Sequence, residues 1–406
     1  MSKHRPNHTR PVFSAQLRDA IWQVTQPHLP LGIEGRELDD ERMWEILTYA
    51  SVTQLTMESA CHELHTAPSG NTVREHLAEA LDDDRAQVVA LEAQLNAALW
   101  AQLPRRVRRR LSQTRFEIAI DLHDIPYHGQ PAIDPAEVRR GPAKSGTTHF
   151  HSYATLAIVH DHRRYELAIT FVWAEDTMAQ VVERLLTYKN RWKVRVRRAY
   201  LDKAFCGREV FATLRAHRLP YIIPIPLRGK KDQRGVYQSG IGRLFTGRRS
   251  YYTRYTFNAD LPEAYTTDVA IVRTYSAGRY GRHRAAWFAY AVYGVAHIPP
   301  NQIFTQYRRR FGIESGYRQL DQVRARTASP SPALRLLLVG LALLILNVYL
   351  TLRHVWLTVH RYGSRVRRVW LTLRRLALLF SRLLEQVFGV TPIEQSLSPA
   401  MADLIS

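Results

Sequence analysis

Cysteine is nearly missing from this chain: only Cys61 and Cys206 occur in 406 residues. Two thiols cannot build a disulfide framework, and this usage fits a reducing compartment. Acidic residues are scarce beside basic ones, 36 Asp and Glu against 57 Lys and Arg, for a net charge of +21. That surplus favours a polyanionic partner, through phosphate contacts and counterion release. The basic residues are mostly arginine, whose planar fork suits phosphate oxygens, although a GC-rich genome gives the same bias. No glycine-rich phosphate loop followed by Lys-Ser/Thr occurs, which removes the ATPase motif. The first residues, Met1–Pro11, are basic and polar with no apolar core, so no secretory signal is expected. A cytoplasmic, nucleoid-associated protein is the corresponding expectation. Long apolar runs are missing too. Leu336–Leu346 is continuously apolar or Gly, but Arg335 and Arg353 bracket its surroundings. The uncharged span is shorter than the ~20 residues that cross a bilayer comfortably. A helix buried within a domain is the expectation, with no membrane partner.

The hydrophobic fraction, 46%, is enough for a sizeable core. The length fits two or three domains. Residues 1–35 read as a flexible arm and residues 36–110 as a helical DNA-binding region. In the latter, Met43, Ile46, Leu47 and Ala50 share one helical face, and Thr53–Leu64 gives a second helix. After the break at Ala67-Pro68-Ser69-Gly70, Thr72 and Glu75 have the capping-box spacing. A long helix is predicted over Asp83–Leu103. Short helices with a Ser/Gly break suit either a helix-turn-helix DNA reader or a plain bundle. Arg105–Arg110, with five arginines, marks a boundary and reads as a linker, either solvated or contacting phosphate.

From Phe116 the period changes to two. Phe116, Ile118 and Ile120 alternate with Glu117, Ala119 and Asp121, which predicts a strand. Tyr153–His160 and Arg164–Trp173 read as two more strands joined tightly at Asp161-His162. A helix over Asp176–Tyr188, a strand over Val194–Asp202, a helix over Gly207–His217 and a strand over Tyr221–Ile225 follow. The order β-β-β-α-β-α-β gives a mixed sheet flanked by helices, an α+β or α/β arrangement that matches the RNase H-like fold. On this reading residues 111–227 form the first part of the core and residues 228–298, rich in Gly, Tyr, Thr and Arg, a β-rich insertion. Residues 299–355 complete the core, and residues 356–406 form a basic helical tail. Within the tail, Arg361–Arg375 interleaves Val366, Val369, Trp370 and Leu373 with arginines, suiting either DNA or solvent.

The acidic residues carry the chemistry. Asp121 follows the first apolar strand and Asp202 the fourth, in Ala199-Tyr200-Leu201-Asp202. In this fold those strands are neighbours, so two carboxylates would lie close together. Such a pair repels itself unless a cation sits between. Oxygen donors suit Mg²⁺ or Mn²⁺, and two ions roughly 3.5–4 Å apart can activate a nucleophile and stabilise a leaving oxygen on phosphorus. Each aspartate alone reads as readily as a turn or cap residue. Asp124 competes with Asp121, which is favoured because it directly ends the apolar strand. Further on, Tyr307, Arg310, Glu314, Tyr317 and Arg318 fall on one broad helical face. That face is either a surface ion-pair cluster or a metal-binding acid flanked by phosphate-holding arginines.

The last segment resembles the Tyr-Arg-Glu-Lys signature of DDE transposases from bacterial and archaeal insertion sequences. Tyr307, Arg310 and Glu314 match in identity and spacing, while Asp321 stands at the Lys position. The stretch from Asp121 to Gly129 and Asp202-Lys203-Ala204-Phe205 are similar to the first two motifs of that family. The resemblance implies Asp121, Asp202 and Glu314 as catalytic, metal-holding acids with two Mg²⁺ or Mn²⁺ ions. It implies cleavage at transposon ends bearing terminal inverted repeats, then strand transfer into target DNA by direct transesterification. Tyr307, Arg310 and Lys203 would contact DNA, and Arg318, Arg324 or Arg326 would stand in for the missing lysine. Bringing two ends together implies a homodimer on DNA. Trp173, Trp192 or Tyr251 would stack on a flipped base or else belong to the core. Cys61, His62 and His65 fall short of a four-ligand zinc set, and His149 and His151 share a strand face. Two other readings stay open: a structure-selective nuclease on the same fold, and a DNA-binding protein with a degenerate core.

Overall fold

The computed structural model describes residues 14–160, 163–259, 261–262, 264–277, 283–308, 318–355, 358–362, 365–369 and 371–391. The chain divides into two compact units. One comprises Arg105–Pro126 and Arg139–Gly316; the other comprises Met1–Pro104, Tyr127–Val138 and Tyr317–Ser406.

The first unit is built on a single nine-stranded sheet. Its strands are β1 (Phe116–Pro126), β2 (Arg139–Lys144), β3 (Thr147–His160), β4 (Arg163–Val172), β5 (Val196–Leu201), β6 (Tyr221–Pro224), β7 (Tyr251–Phe257), β8 (Tyr265–Ala277) and β9 (His283–Tyr293). The order is β2-β3-β1-β5-β6-β9-β8-β7, with β4 also paired to β3. β1 pairs antiparallel with β3 and parallel with β5, and β5 pairs parallel with β6. The run β4-β3-β1-β5-β6 is the RNase H-like sheet, and the expected fold class is what the chain adopts.

Three more helices belong to this unit: α6 (Arg105–Gln113), α7 (Met178–Arg191) and α8 (Arg208–Ala216). Thr177 starts α7 through a capping box with Gln180, and the stripe Val181, Val182, Leu185 and Leu186 is fully buried, with α7 packing on β3 and β4. Val210, Phe211 and Leu214 of α8 are buried in the same way. Each such side chain contributes roughly 1.5–3 kcal/mol on burial. Ile118 and Ile120 of β1 and Leu201 of β5 are fully buried. A further helix, α9 (Pro300–Arg308), buries Ile303 and Tyr307 and packs on β7 and β8.

Several expectations change here. Residues 228–298 are β-rich as expected, and their strands join the main sheet: β9 pairs with β6, Tyr221 against Tyr293, so β7 to β9 extend it. β1 does not stop at Asp121. It runs on to Pro126 because β3 continues beside it, Pro126 against Phe150. The boundary stretch read as a linker is a helix, α6. The link at Asp161-His162 lies outside the described residues.

The second unit is mainly helical: α1 (Ser14–His28), α2 (Asp40–Thr53), α3 (Met57–Glu63), α4 (Gly70–Ala80), α5 (Arg85–Gln102), α10 (Pro332–Val355) and α11 (Leu373–Phe388). Part of the stretch read as an arm is α1, which buries Leu17, Ile21 and Val24. α4 starts one turn earlier than the capping-box reading, with Ser69 accepting from the Thr72 amide at 3.1 Å. α10 carries the apolar run, and Leu336–Leu346 is buried against α5, α2 and α1. It is long and apolar enough to cross a membrane, yet it lies inside this unit. At Gly340 a Cβ would come within 2.3 Å of Leu95 Cδ2, so any larger residue there would make the buried Leu95 side chain shift. The expected helical tail is only partly helical: β10 (Thr358–Tyr362) and β11 (Arg365–Val369) form an antiparallel pair ahead of α11.

Candidate active site on the sheet face

Strand register brings the two aspartates together. Ile120 pairs with Leu201 in the parallel β1–β5 ladder, so the next residues along, Asp121 and Asp202, occupy neighbouring positions. Asp202 keeps an extended backbone (φ −74°, ψ 165°), so the side-chain alternation carries through it. Ile120 and Leu201 point into the core beneath α7 and α8, and the two carboxylates point to the other face. Adjacent strands are about 4.8 Å apart. Asp121 is buried, at 5% exposure, and its Oδ1 accepts from the Leu122 amide at 3.0 Å. Asp202 is half-buried and caps a short 3₁₀ turn, Lys203–Phe205, accepting from the Lys203 amide at 2.7 Å. Phe205, fully buried, anchors that turn, and Lys203 is exposed beside it.

Asp124 is oriented differently. An odd number of residues from Asp121 on one strand, it points to the opposite face. There it accepts from the Ser152 hydroxyl at 2.6 Å and lies 3.8 Å from Arg139.

The Asp121 face continues as a polar layer that sequence reasoning missed. Thr155 of β3 pairs across from Asp121. A bulge between Leu156 and Ala157 then sets Ala157 against Glu166 and Val159 against Arg164. Arg164 Nε lies 2.5 Å from Glu166 Oε1, and both side chains are buried. Burial pushes the Glu166 carboxyl above its ordinary range; Arg164 opposes this, and the nearby Asp121 charge adds to it. The only sequence sign of this layer was two charged residues, Arg164 and Glu166, alternating with apolar ones in a strand. Further along β5, Arg198 is buried on the same face, 3.5 Å from Glu117 and 3.2 Å from the Tyr200 hydroxyl.

α9 lies over this face. Tyr307 is 5% exposed, its ring meeting Tyr200 at 6.4 Å and Tyr290 at 5.2 Å. Its hydroxyl donates to the Leu201 carbonyl, one residue before Asp202, at 3.3 Å. Gln306 accepts from Arg198 at 3.4 Å. Tyr307 is therefore a packing residue that fixes α9 to the end of β5, and contact with DNA would require it to leave that packing. Arg310, Glu314 and Tyr317 lie outside the described residues.

The remaining expected residues are scattered. Arg318, Arg324 and Arg326 belong to the helical unit; Arg318 and Arg326 are exposed, and Arg324 lies 3.6 Å from Asp321. Trp173 is buried against Phe171 at 4.6 Å, so it is a core residue. Trp192 is half-buried against Tyr188, and the Tyr251 hydroxyl donates to the Leu244 carbonyl. His151 is fully buried against Phe171, at 6.2 Å. Burial raises the Cys61 thiol to about 11 and the Cys206 thiol to about 12, so neither is a thiolate near neutral pH. Among the described residues no group of three His, Cys, Asp or Glu could hold a metal ion.

Charge is also unevenly distributed. Residues 34–104 hold fourteen Asp and Glu against four Arg and no Lys, a net of −10. The helices expected to read DNA are thus the acidic part of the chain, and α4 exposes Glu75 and Glu79 beside Arg74.

No protein family model matches the chain, and no curated protein matches it. Among solved structures it is similar to a piggyBac transposase synaptic complex with hairpin DNA. The identity is 11%, over 96% of this chain and 80% of that chain, with a TM-score of 0.47.

Proposed function

We propose that this chain is a DDE-type DNA transposase. It would cut DNA at element ends bearing terminal inverted repeats and join the freed 3′ end to target DNA by direct transesterification. The observation that carries the reading is the placement of Asp121 and Asp202 at neighbouring register positions on one face of an RNase H-like sheet. Two hard oxygen donors on adjacent parallel strands fit a divalent cation such as Mg²⁺ or Mn²⁺. Asp121 and Asp202 would hold it, with Glu314 as the third acid. When bound, such ions neutralise phosphate charge and lower the pKa of the attacking water. The protein's own part is positional. Buried Asp121 lies across from Thr155 on β3 and accepts from the Leu122 amide, and Asp202 caps the Lys203 turn. Tyr307 ties α9 to β5, so the chain enters the Tyr-Arg-Glu segment from the carboxylate side. Lys203 and Arg310 would meet phosphates, and two chains would join two ends as a homodimer. The Tyr-Arg-Glu-Lys resemblance supports this reading through Tyr307, Arg310 and Glu314, and a cytoplasmic, nucleoid-associated protein goes with it.

A second reading, a structure-selective nuclease, draws on the acidic character of residues 34–104, which lack the basic helix face that end recognition uses. One assay separates the two: cleavage of labelled duplex carrying the gene's own flanking sequence, in Mg²⁺, by the wild-type protein and by Asp202→Asn. Cuts at a defined position, lost in the variant, are expected. Cuts that ignore the flanking sequence would favour the nuclease. Binding without cleavage in Mg²⁺ or Mn²⁺ would overturn both.

A further inference from the structure

We infer that α6 and the entry to β5 form a binding surface for duplex DNA, distinct from the carboxylate face. Two segments of the sheet unit that carry no acid meet there. Residues 105–116 contain six arginines and no Asp or Glu, and residues 184–201 contain seven Arg and Lys and no Asp or Glu. Backbone bonds lock them together. The Arg195 amide donates to the Leu111 carbonyl at 3.0 Å, and the Phe116 amide donates to the Arg195 carbonyl at 2.8 Å. The Arg195 guanidinium adds a bond to the Gln113 carbonyl at 3.2 Å. Leu111, fully buried, anchors α6, while Arg105, Arg106, Arg109 and Arg110 are exposed on it. Across the junction Arg191, Lys193, Arg195 and Arg197 are exposed as well.

Among the described residues none of these eight cations forms an ion pair. Concentrating so much unpaired charge costs self-repulsion, which a polyanion removes. Its chemistry favours phosphodiester over lipid. An interfacial helix needs apolar side chains beside its cations, whereas the exposed large hydrophobic residues lie elsewhere, from Val89 to Val390, and none falls within 105–116 or 184–201. Arginine forks suit phosphate oxygens spaced along a duplex, and α6 spans about 13 Å. The surface sits at the opposite end of β5 from Asp202, roughly 20 Å along the strand, too far to touch a phosphate held at the carboxylates. It would grip flanking or target duplex and carry no sequence reading. The inference deepens the transposase reading and rests on it only for which duplex is bound.

The test is equilibrium binding of the full chain to a labelled duplex of arbitrary sequence, with EDTA present, by fluorescence anisotropy over a range of KCl. Replacing Arg105, Arg106, Arg109 and Arg110 with Ala should flatten the log K against log salt slope by about 3–4, at ~0.9 per phosphate lost, and weaken binding on the order of 10²-fold. Replacing the same four with Lys should keep binding within a few-fold, because the charge remains. If the alanine protein fails to keep the wild-type melting temperature, replacing Arg191, Lys193 and Arg197 with Gln reads the same slope from outside α6. Wild-type slope and affinity in a folded neutralised protein would overturn the inference. So would loss of binding to phosphatidylserine vesicles with DNA binding intact, which would make this a membrane surface. If neutralising α6 abolishes binding while no form of the protein cleaves, the surface stands and the transposase reading falls.

Discussion

Asp121 and Asp124 are three positions apart and point to opposite faces of the sheet. Asp121 shares its face with Asp202; Asp124 faces away, held by Ser152 and near Arg139. Asp121→Asn should therefore lower metal-dependent cleavage by more than the roughly 10–100-fold that losing a supporting group costs. Asp124→Asn should leave cleavage within a few-fold. Asn can still accept the Ser152 hydrogen bond, and a partly exposed ion pair contributes at most about 1 kcal/mol. Single-turnover cleavage by the two variants checks this, and the reverse ranking would move the site to the other face. The preference for Asp121 was legible because it directly follows the apolar run Phe116–Ile120. The Thr155, Arg164 and Glu166 layer beside it was not. It depends on a bulge in the β3–β4 ladder that shifts the register by one residue, and neither strand's own pattern records its partner's register.

Elements that bury both faces were readable, because continuous apolar or alternating runs are what such burial requires. β1, β3, β4, β5 and β6 were all anticipated on that basis. β2 was not: Arg139–Lys144 is mostly exposed polar sequence with two edge-compatible residues, Gly141 and Pro142, and pairing to β3 alone defines it. β7 to β9 were seen as strands but not as part of the main sheet, since nothing in a strand's composition names its neighbour. α9 turns on one residue. Tyr307 matched a family signature and was read as a DNA contact, yet its ring packs on Tyr200 and Tyr290. Tyr307→Phe should cost about 0.5–1.5 kcal/mol, the value of one hydrogen bond. Tyr307→Ala should cost roughly 3–5 kcal/mol through the cavity left on the sheet. Thermal melts of the two variants read this directly. A Tyr307→Ala protein that melts like the wild type but binds DNA less well would return the residue to the DNA side.

On the scale of the whole chain, the division into units follows packing rather than sequence order. The sequence suggested a helical DNA-binding region from 36 to 110, bounded by Arg105–Arg110. What composition does not record is that the helical unit closes only with the C-terminal segments. Leu95 of α5 packs against Gly340 of α10, and the Asp83 carboxylate accepts from the Ser331 hydroxyl at 2.6 Å and the Ala333 amide at 3.1 Å. The Arg326 amide donates to the Leu55 carbonyl at 2.9 Å, and the His65 and Thr66 amides donate to Gly389 and Phe388. Without α10, one side of α5 would expose the apolar surface that Val88, Leu91, Leu95 and Leu99 now bury, at roughly 25 cal/mol per Å². Residues 1–104 alone should therefore be helical at best without a cooperative melt, and should gain one only when residues 317–406 are supplied in the same chain or in trans. Circular dichroism melts with near-ultraviolet detection of Trp44, which is buried at 2% exposure, distinguish the two states. A cooperative melt from residues 1–104 alone would make this region an independent domain. Its net charge of −7 would then have to be explained as a property of that domain rather than as the counterweight, within one chain, to the basic surface at α6.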